Sequence, residues 1–212
     1  MSSVTITPLS VFWTLLSLAL ASALCASFVA PTWFIKSGNL DLSSFGLYSY
    51  CVHSPGPGSI EVCQIFGGGR FDLMTLPVGV WQAAVVLFGG GCIMCSLGAL
   101  LSLSSLFFAL NTHKKLALFA GYVQTVSVLI LMAGLVLFPL GLDNAFVRQY
   151  CGQSAIFNAG DCEIGWGYML AIMSTAIAMF CPVFAKYLSS VRKEYVSLPS
   201  NNLNAPPLLS HV

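Results

Sequence analysis

The residues whose types and spacing come nearest to catalytic chemistry are Cys92 and Cys95, a C-x-x-C pair. Such a pair can cycle between dithiol and disulfide, exchanging electrons with other cysteines through thiolate attack. In a membrane protein this would make a thiol oxidoreductase, provided that the pair lay close to the outer face. From Pro77 to Cys92, however, a helix rises roughly 20 Å, which would place the pair near mid-membrane. We therefore interpret both cysteines as small packing residues.

Other catalytic constellations do not emerge from the sequence. His53, His113 and His211 are far apart in the chain, and no Ser-His-Asp set or metal cluster forms around them. Glycines 67–69 lack the Lys-Ser/Thr that a phosphate-binding loop requires. The sequence thus predicts no catalytic residue, no cofactor and no metal, and we expect that the protein is not an enzyme.

Composition indicates which solvent surrounds the chain. Of its 212 residues 57% are hydrophobic and only 7% are charged, whereas soluble domains carry about 25% charged residues. So few charges could not cover an apolar core in water, so a lipid bilayer is the predicted surrounding. The net charge of +1 provides no argument for a nucleic-acid partner.

Four stretches reach the ~20 apolar residues that a membrane-spanning helix needs. They are residues 10–30, 78–110, 116–140 and 164–187, and none has an ionisable residue in its interior, which disfavours ion-coupled transport. Ala21, Ser22 and Ala23 could form a signal-peptide cleavage site in the first stretch. The apolar run continues beyond them without a positive segment before it, so we expect a retained helix. The predicted fold is an all-α, four-helix membrane bundle covering residues 1–188.

Lysine and arginine indicate the orientation, because short cytosolic loops are enriched in them. Lys114 and Lys115 lie between the second and third spans, and Lys186, Arg192 and Lys193 lie at or after the end of the fourth. We therefore predict that both termini are cytosolic, that 31–77 and 141–163 are extracellular loops, and that 189–212 is a disordered cytosolic tail.

The cysteines divide between the same regions. Cys51, Cys63, Cys151 and Cys162 lie in the predicted outer loops, where conditions are oxidising. Four cysteines permit three connectivities, and sequence alone selects none of them. We favour local pairing within each loop, each bond contributing about 3 kcal/mol in the chain-entropy model, over free thiols.

Between Cys51 and Cys63 lies a cluster of turn-forming residues, 53–58, flanked by β-prone segments at 47–52 and 60–66. This pattern predicts a hairpin, and hence a small sheet in the first outer loop. Within the spans, small residues would let helices approach closely, since lipid supplies no hydrophobic drive for association. The glycines with this predicted role are Gly89, Gly90, Gly91, Gly98, Gly121 and Gly134.

Two motifs carry a family resemblance. Trp33 followed by Gly46, Leu47, Tyr48 and the first cysteine pair resembles the claudin-superfamily signature, with Tyr48 in the place of a tryptophan. The second outer loop resembles the LHFPL (lipoma-HMGIC-fusion-partner-like) tetraspan family, with Leu142 where a tryptophan is common. The matching residues there are Pro139, Gly141, Asp143, Val147, Arg148, Cys151, Gly152, Gly160, Cys162, Ile164 and Trp166.

The resemblance implies a left-handed four-helix bundle, an extracellular sheet built from both outer loops, and local cysteine pairing. It also implies a plasma-membrane protein that acts as an auxiliary subunit of a larger membrane protein, an ion channel or a receptor. A claudin-like junctional protein is the alternative. We expect Trp33, Leu47 and Tyr48 to anchor the sheet on the bundle, and the hairpin tip at 55–58 to contact the partner.

The C-terminal residues Ser210, His211 and Val212 fit a Ser/Thr-x-aliphatic ligand of the kind that PDZ domains capture by strand addition. We predict that deleting them lowers the recovery of PDZ scaffold proteins in a pull-down from cells, because the terminal carboxylate and last side chain would be lost. Equal recovery with the full-length and truncated chains would rule out this motif.

Overall fold

Four long apolar helices and one antiparallel sheet make up most of the part of the chain that the structure describes. The computed structural model describes residues 8–36, 42–53, 60–68, 73–107 and 110–187, with only the backbone of Leu42 and residues 110–114. Four helical segments in this part are long and apolar enough to cross a membrane, which confirms the predicted four-span fold. These segments are Pro8–Val29, Gly79–Ser105, Lys115–Leu140 and Trp166–Tyr187, with mean hydropathies from 1.9 to 2.2.

The second helix ends earlier in the chain than the sequence predicted. Helix α1 is Pro8–Val29, α2 is Gly79–Ser105 and α3 is Leu110–Leu140. The predicted second span reached residue 110, but a turn begins directly after Ser105. Hydropathy failed here because the turn is itself apolar, and an apolar turn has the same composition as an apolar helix.

The predicted fourth span, 164–187, is also interrupted. After a short helix α4, Ala145–Cys151, helix α5 covers Trp166–Ala178, and helical structure resumes over 181–187 after a break at 179–180. Pro182 explains the break, because it has no N–H for the carbonyl of Ala178 and its ring crowds the preceding turn.

The sheet contains strands from both of the predicted outer loops, for which we keep the names first and second outer loop. Its strands are β1 Phe34–Ile35, β2 Leu42–Phe45, β3 Ser49–His53, β4 Glu61–Ile65 and β5 Glu163–Ile164. They are ordered β4-β3-β2-β1-β5, and every neighbouring pair is antiparallel. The predicted hairpin strands are confirmed with small shifts of their ends. We name this end of the bundle the sheet end, and the opposite end, with Lys115 and Lys186, the lysine end.

Helix packing follows the small residues. A Cβ atom added to five of the six predicted packing glycines would lie 3.2 Å or less from an atom of a neighbouring element. These five are Gly89, against Phe28; Gly91, against Leu131; Gly98, against Gln124; Gly121, against Ala185; and Gly134, against Phe88. Gly90 differs, because a Cβ there would meet no atom within 4 Å. Successive helical residues point about 100° apart, so three consecutive glycines cannot all face a partner helix.

Replacement of Gly91 and Gly90 by alanine provides a matched test of this packing. A Cβ at Gly91 would lie 2.6 Å from Cγ of Leu131, so we expect Gly91→Ala to destabilise the bundle by about 1–3 kcal/mol. Gly90→Ala should be neutral or slightly stabilising, because alanine is the better helix former. Thermal unfolding of each purified variant in the same detergent measures both effects, and equal melting temperatures would contradict this account of helix contact.

Candidate partner-binding surface at the sheet end

Trp33 joins the first outer loop to the helices. Its side chain is fully buried, and its indole N–H donates a 2.8 Å hydrogen bond to the carbonyl of Ser27 in α1. Its ring centroid lies 4.8 Å from that of Phe138 in α3 and 5.3 Å from that of Phe88 in α2. One side chain therefore contacts three helices, and it is not exposed for a partner to touch.

Trp81, near the start of α2, extends this aromatic core and was not identified from the sequence. Its ring stacks on Phe138 with centroids 5.1 Å apart and planes 12° apart, and its indole N–H donates to the Phe138 carbonyl at 3.2 Å. A tryptophan near the end of a span usually indicates an anchor at the membrane interface. Trp81 is instead fully buried, because the rings of Phe45, Phe66 and Phe146 cover it.

Gly46, Leu47 and Tyr48 form the turn between β2 and β3 that rests on the end of α1. Any Cβ at Gly46 would collide with the carbonyl oxygen of Ala30, so only glycine allows this approach. Leu47 is fully buried, and the Tyr48 ring lies 5.2 Å from that of Phe28. Burial raises the pKa of the Tyr48 phenol, which therefore stays neutral. The structure places these residues, like Trp33, in contact with the bundle.

Both disulfides have the local pairing that the sequence analysis favoured. Cys51 and Cys63 face each other across β3 and β4, with Cα atoms 4.0 Å apart. Cys151 at the end of α4 is bonded to Cys162, directly before β5, with Cα atoms 5.2 Å apart. One disulfide thus links two strands of the sheet, and the other links α4 to the residue before β5.

The four remaining cysteines lie within the helical spans and carry free thiols: Cys25, Cys92, Cys95 and Cys181. Cys92 and Cys95 are buried in the bundle, and the Cys92 sulfur lies 3.6 Å from the Leu24 carbonyl oxygen in α1. Thirteen residues, or about 20 Å of helix, separate Cys92 from the start of α2 at the sheet end. Helix contacts therefore surround the C-x-x-C pair far from both disulfides.

Helix α4 was not predicted from the sequence. Asn144 caps it, accepting a 2.9 Å hydrogen bond from the Val147 N–H and donating one of 2.7 Å to the Gly141 carbonyl. Asparagine before a short apolar run is a helix-start signal that could have revealed α4. Its Phe146 packs on the aromatic core, so the second outer loop covers the first.

The longer of the two exposed edges of the sheet is β4. In the described chain β4 and the two-residue strand β5 are the terminal strands, and residues 61–64 of β4 are exposed, as are both residues of β5. Because Phe66 donates its N–H to the Tyr48 carbonyl, strand alternation directs the main-chain groups of residues 61 and 63 away from β3. Apolar side chains accompany this free edge: Ile60 is 70% exposed and Val62 is 40% exposed. We name residues 60–64 the β4 edge surface.

A possible donor set for a metal lies beside this surface but does not suit one. Cys51, Glu61 and Cys63 have side-chain atoms within 4.8 Å of one another. The two sulfurs are joined in a disulfide and therefore are not thiolate ligands, and Glu61 accepts a hydrogen bond from the Ser43 hydroxyl. Two predicted contact sites, the hairpin tip at 55–58 and the terminal residues Ser210, His211 and Val212, lie outside the described residues.

Comparison with known proteins supports the same architecture. The family model described as "Lipoma HMGIC fusion partner-like protein" matches residues 9–190. The chain belongs to the LHFPL tetraspan family. It is 31% identical to the LHFPL tetraspan subfamily member 7 protein of Xenopus tropicalis, over 82% of this chain and 88% of that protein.

Further LHFPL relatives match at similar levels. The human LHFPL tetraspan subfamily member 2 protein is 27% identical over 87% of this chain and 89% of its own length. The member 4 protein of Bos taurus is 30% identical over 86% of this chain and 72% of its own length. The region matched by the LHFPL model includes both disulfides and all four spans except residue 8, and it ends at residue 190, two residues into the predicted tail.

Proposed function

We propose that this LHFPL protein is a non-enzymatic subunit of the plasma membrane that binds a larger membrane protein, an ion channel or a receptor, and assists its assembly, trafficking or placement. The observation that carries the proposal is the division of the sheet end into two parts. The aromatic motif residues are buried against the bundle, whereas the β4 edge surface is left open. This arrangement supports a structural role for the motif and a binding role for the strand.

The β4 edge surface has the properties that recognition by an added strand requires. Exposed strand edges are usually protected, since unpaired main-chain groups invite pairing with another chain. Partners that bind in this way gain affinity from main-chain hydrogen bonds and specificity from alternate side chains, here those of Ile60 and Val62. The disulfide between Cys51 and Cys63 holds β4 in place before binding, which lowers the entropic cost of association.

The lipid-facing surface of α2 offers a second contact for a partner inside the membrane. Bulky exposed residues recur there at helical spacing: Val86 54%, Ile93 65%, Leu97 48% and Leu100 56% exposed. A transmembrane helix of the partner could replace lipid along this stripe at small solvation cost, because lipid tails and these side chains are equally apolar. Contacts in the membrane and at the sheet would then act together.

A claudin-like junctional protein is the second candidate, since the same β4 edge surface could meet a protein on a neighbouring cell. Cells with and without the chain, mixed and imaged, distinguish the two functions. A subunit acting within one membrane should be found evenly over the surface of expressing cells. Enrichment only at contacts between two expressing cells would favour adhesion.

We predict that replacing Ile60 and Val62 together by lysine lowers partner recovery about tenfold or more, as for central interface residues. Both side chains are exposed, so the fold and surface expression should persist. The measurement is co-purification after crosslinking in native membranes, with mass spectrometry to identify the partner. Gln153→Lys, an exposed site on the second outer loop, is the matched control. Unchanged recovery with the double variant would remove β4 as the binding surface.

The proposed orientation has the sheet outside the cell and both termini in the cytosol. It is supported by the lysines at the end opposite the disulfides. We expect a membrane-impermeant maleimide to label Met74→Cys, at the sheet end and 82% exposed, on intact cells. Lys115→Cys, which is exposed at the lysine end, should react only after permeabilisation. Labelling of Lys115→Cys on intact cells would reverse the orientation.

A further inference from the structure

An apolar groove of about 580 Å³ opens between α3 and α5 at the sheet end. Helix α3 packs much less extensively against α5 than against α2, so the two helices leave a space between them. Small-molecule sites typically have volumes of about 300–1,000 Å³ and mostly apolar walls. The groove walls include Met132, Val136, Tyr168, Ile172, Ala176 and Met179.

One backbone carbonyl beside the groove accepts its hydrogen bond from a side chain of the neighbouring helix. Pro139 in α3 has no N–H for the carbonyl of Leu135, and that carbonyl instead accepts a 3.0 Å hydrogen bond from the Tyr168 hydroxyl. A hydrogen bond from a neighbouring helix is one of the ways in which helices in lipid tolerate a proline. Tyr168 therefore bridges α3 and α5 and forms a built wall of the groove.

Phe157 stands at the mouth of the groove in a strained conformation. Its φ is 59°, which non-glycine residues rarely adopt, and its N–H donates to the Pro139 carbonyl at 3.1 Å. The Phe157 side chain is nevertheless 61% exposed, although phenylalanine side chains are usually buried. Strain of this kind concentrates at ligand clamps and switch regions.

The charges around the groove indicate which kind of lipid fits. Among its lining residues none is charged. At the sheet end of the described chain, Lys36 is paired with Asp161 at 3.3 Å and Arg148 is paired with Asp143. A phospholipid headgroup would therefore find no uncompensated cation among the described residues of the sheet end. The groove is complementary to an amphiphile with an uncharged head.

We propose that this groove binds a membrane sterol from the leaflet at the sheet end, independently of the function proposed above. A sterol has one hydroxyl and a rigid, flat apolar body, so it loses less conformational entropy on binding than a flexible acyl chain does. The hydroxyl lies at the rim beside Asn158, whose Oδ1 accepts from the Gly160 N–H at 3.0 Å and whose NH₂ is the available donor. Phe157 covers the ring system.

Replacement of Thr175 can show which end of the sterol points into the membrane. Its hydroxyl is buried, lines the groove and has no hydrogen-bond partner among the described residues. It lies nine residues into α5 from Trp166, about 14 Å along the helix. The apolar tail of a sterol whose hydroxyl is at the rim points toward this depth, so removal of the Thr175 hydroxyl should not weaken binding.

The experiment uses the full-length protein in phosphatidylcholine nanodiscs that contain a diazirine-bearing cholesterol analogue. We expect photolabelled peptides from α3, α5 and the segment around Phe157, with labelling suppressed by excess cholesterol. Ala176→Trp fills the open groove and should lower the labelling about tenfold, which corresponds to about 1.4 kcal/mol of affinity. Met173→Trp, an exposed position on the same helix outside the groove, should change it less than about twofold.

Several outcomes would overturn the proposal. Equal labelling by a phosphatidylcholine probe, without competition from cholesterol, would identify an acyl chain as the occupant. A protein adduct formed in cells by a photoreactive amino acid at position 176 would identify a partner helix. Loss of sterol labelling in Thr175→Val would contradict the proposed direction, because it would require a polar ligand group deep in the membrane. Equal losses in Ala176→Trp and Met173→Trp would show that the groove is not the site.

Discussion

The packing of Phe138 between Trp81, which stacks on it, and Trp33, which meets it edge to face, is the interaction on which the rest of the structure depends. Trp33 belongs to the first outer loop, Trp81 to α2 and Phe138 to α3, so three distant parts of the chain meet in one contact. Both indole N–H groups donate to backbone carbonyls, which fixes the rings in position as well as burying them. Aromatic pairs of this geometry add about 0.5–1.5 kcal/mol beyond simple burial.

This core determines what the outer surface can do. Because the motif residues face inward, the sheet is carried rigidly on the helices, and its longer exposed edge strand is β4. The disulfide from Cys51 to Cys63 then locks that strand to β3. A partner would meet a preformed edge rather than a loop that must first be ordered, which is the physical advantage of placing a small sheet on a helical bundle.

The bilayer imposes a second constraint, because every main-chain polar group within it needs an internal partner. Pro139 leaves the Leu135 carbonyl of α3 without its helical partner, and the Tyr168 hydroxyl of α5 donates a hydrogen bond to it instead. The same bridge joins α3 to α5 beside the groove between them. The proline, the tyrosine that compensates for it and the groove therefore lie next to one another at the sheet end.

The sequence by itself determined the number of spans, the two β-prone segments and the cysteines suited to outer loops, because these depend on local composition and solvent preference. The sequence favoured local disulfide pairing without excluding the other connectivities, and the structure has the local pairing. The apolar pattern predicted an end of α2 beyond its true end at Ser105, since an apolar turn resembles an apolar helix. It missed the break before Pro182, although a proline inside a span is a visible signal.

Only the tertiary structure decided that Trp81 is buried rather than interfacial, that Gly91 faces α3 while Gly90 faces outward, and that β4 has a free edge. These properties depend on the rotation of each helix about its axis and on contacts between residues distant in sequence. Hydropathy carries neither kind of information, because lipid and a neighbouring helix are almost equally apolar surroundings for a side chain.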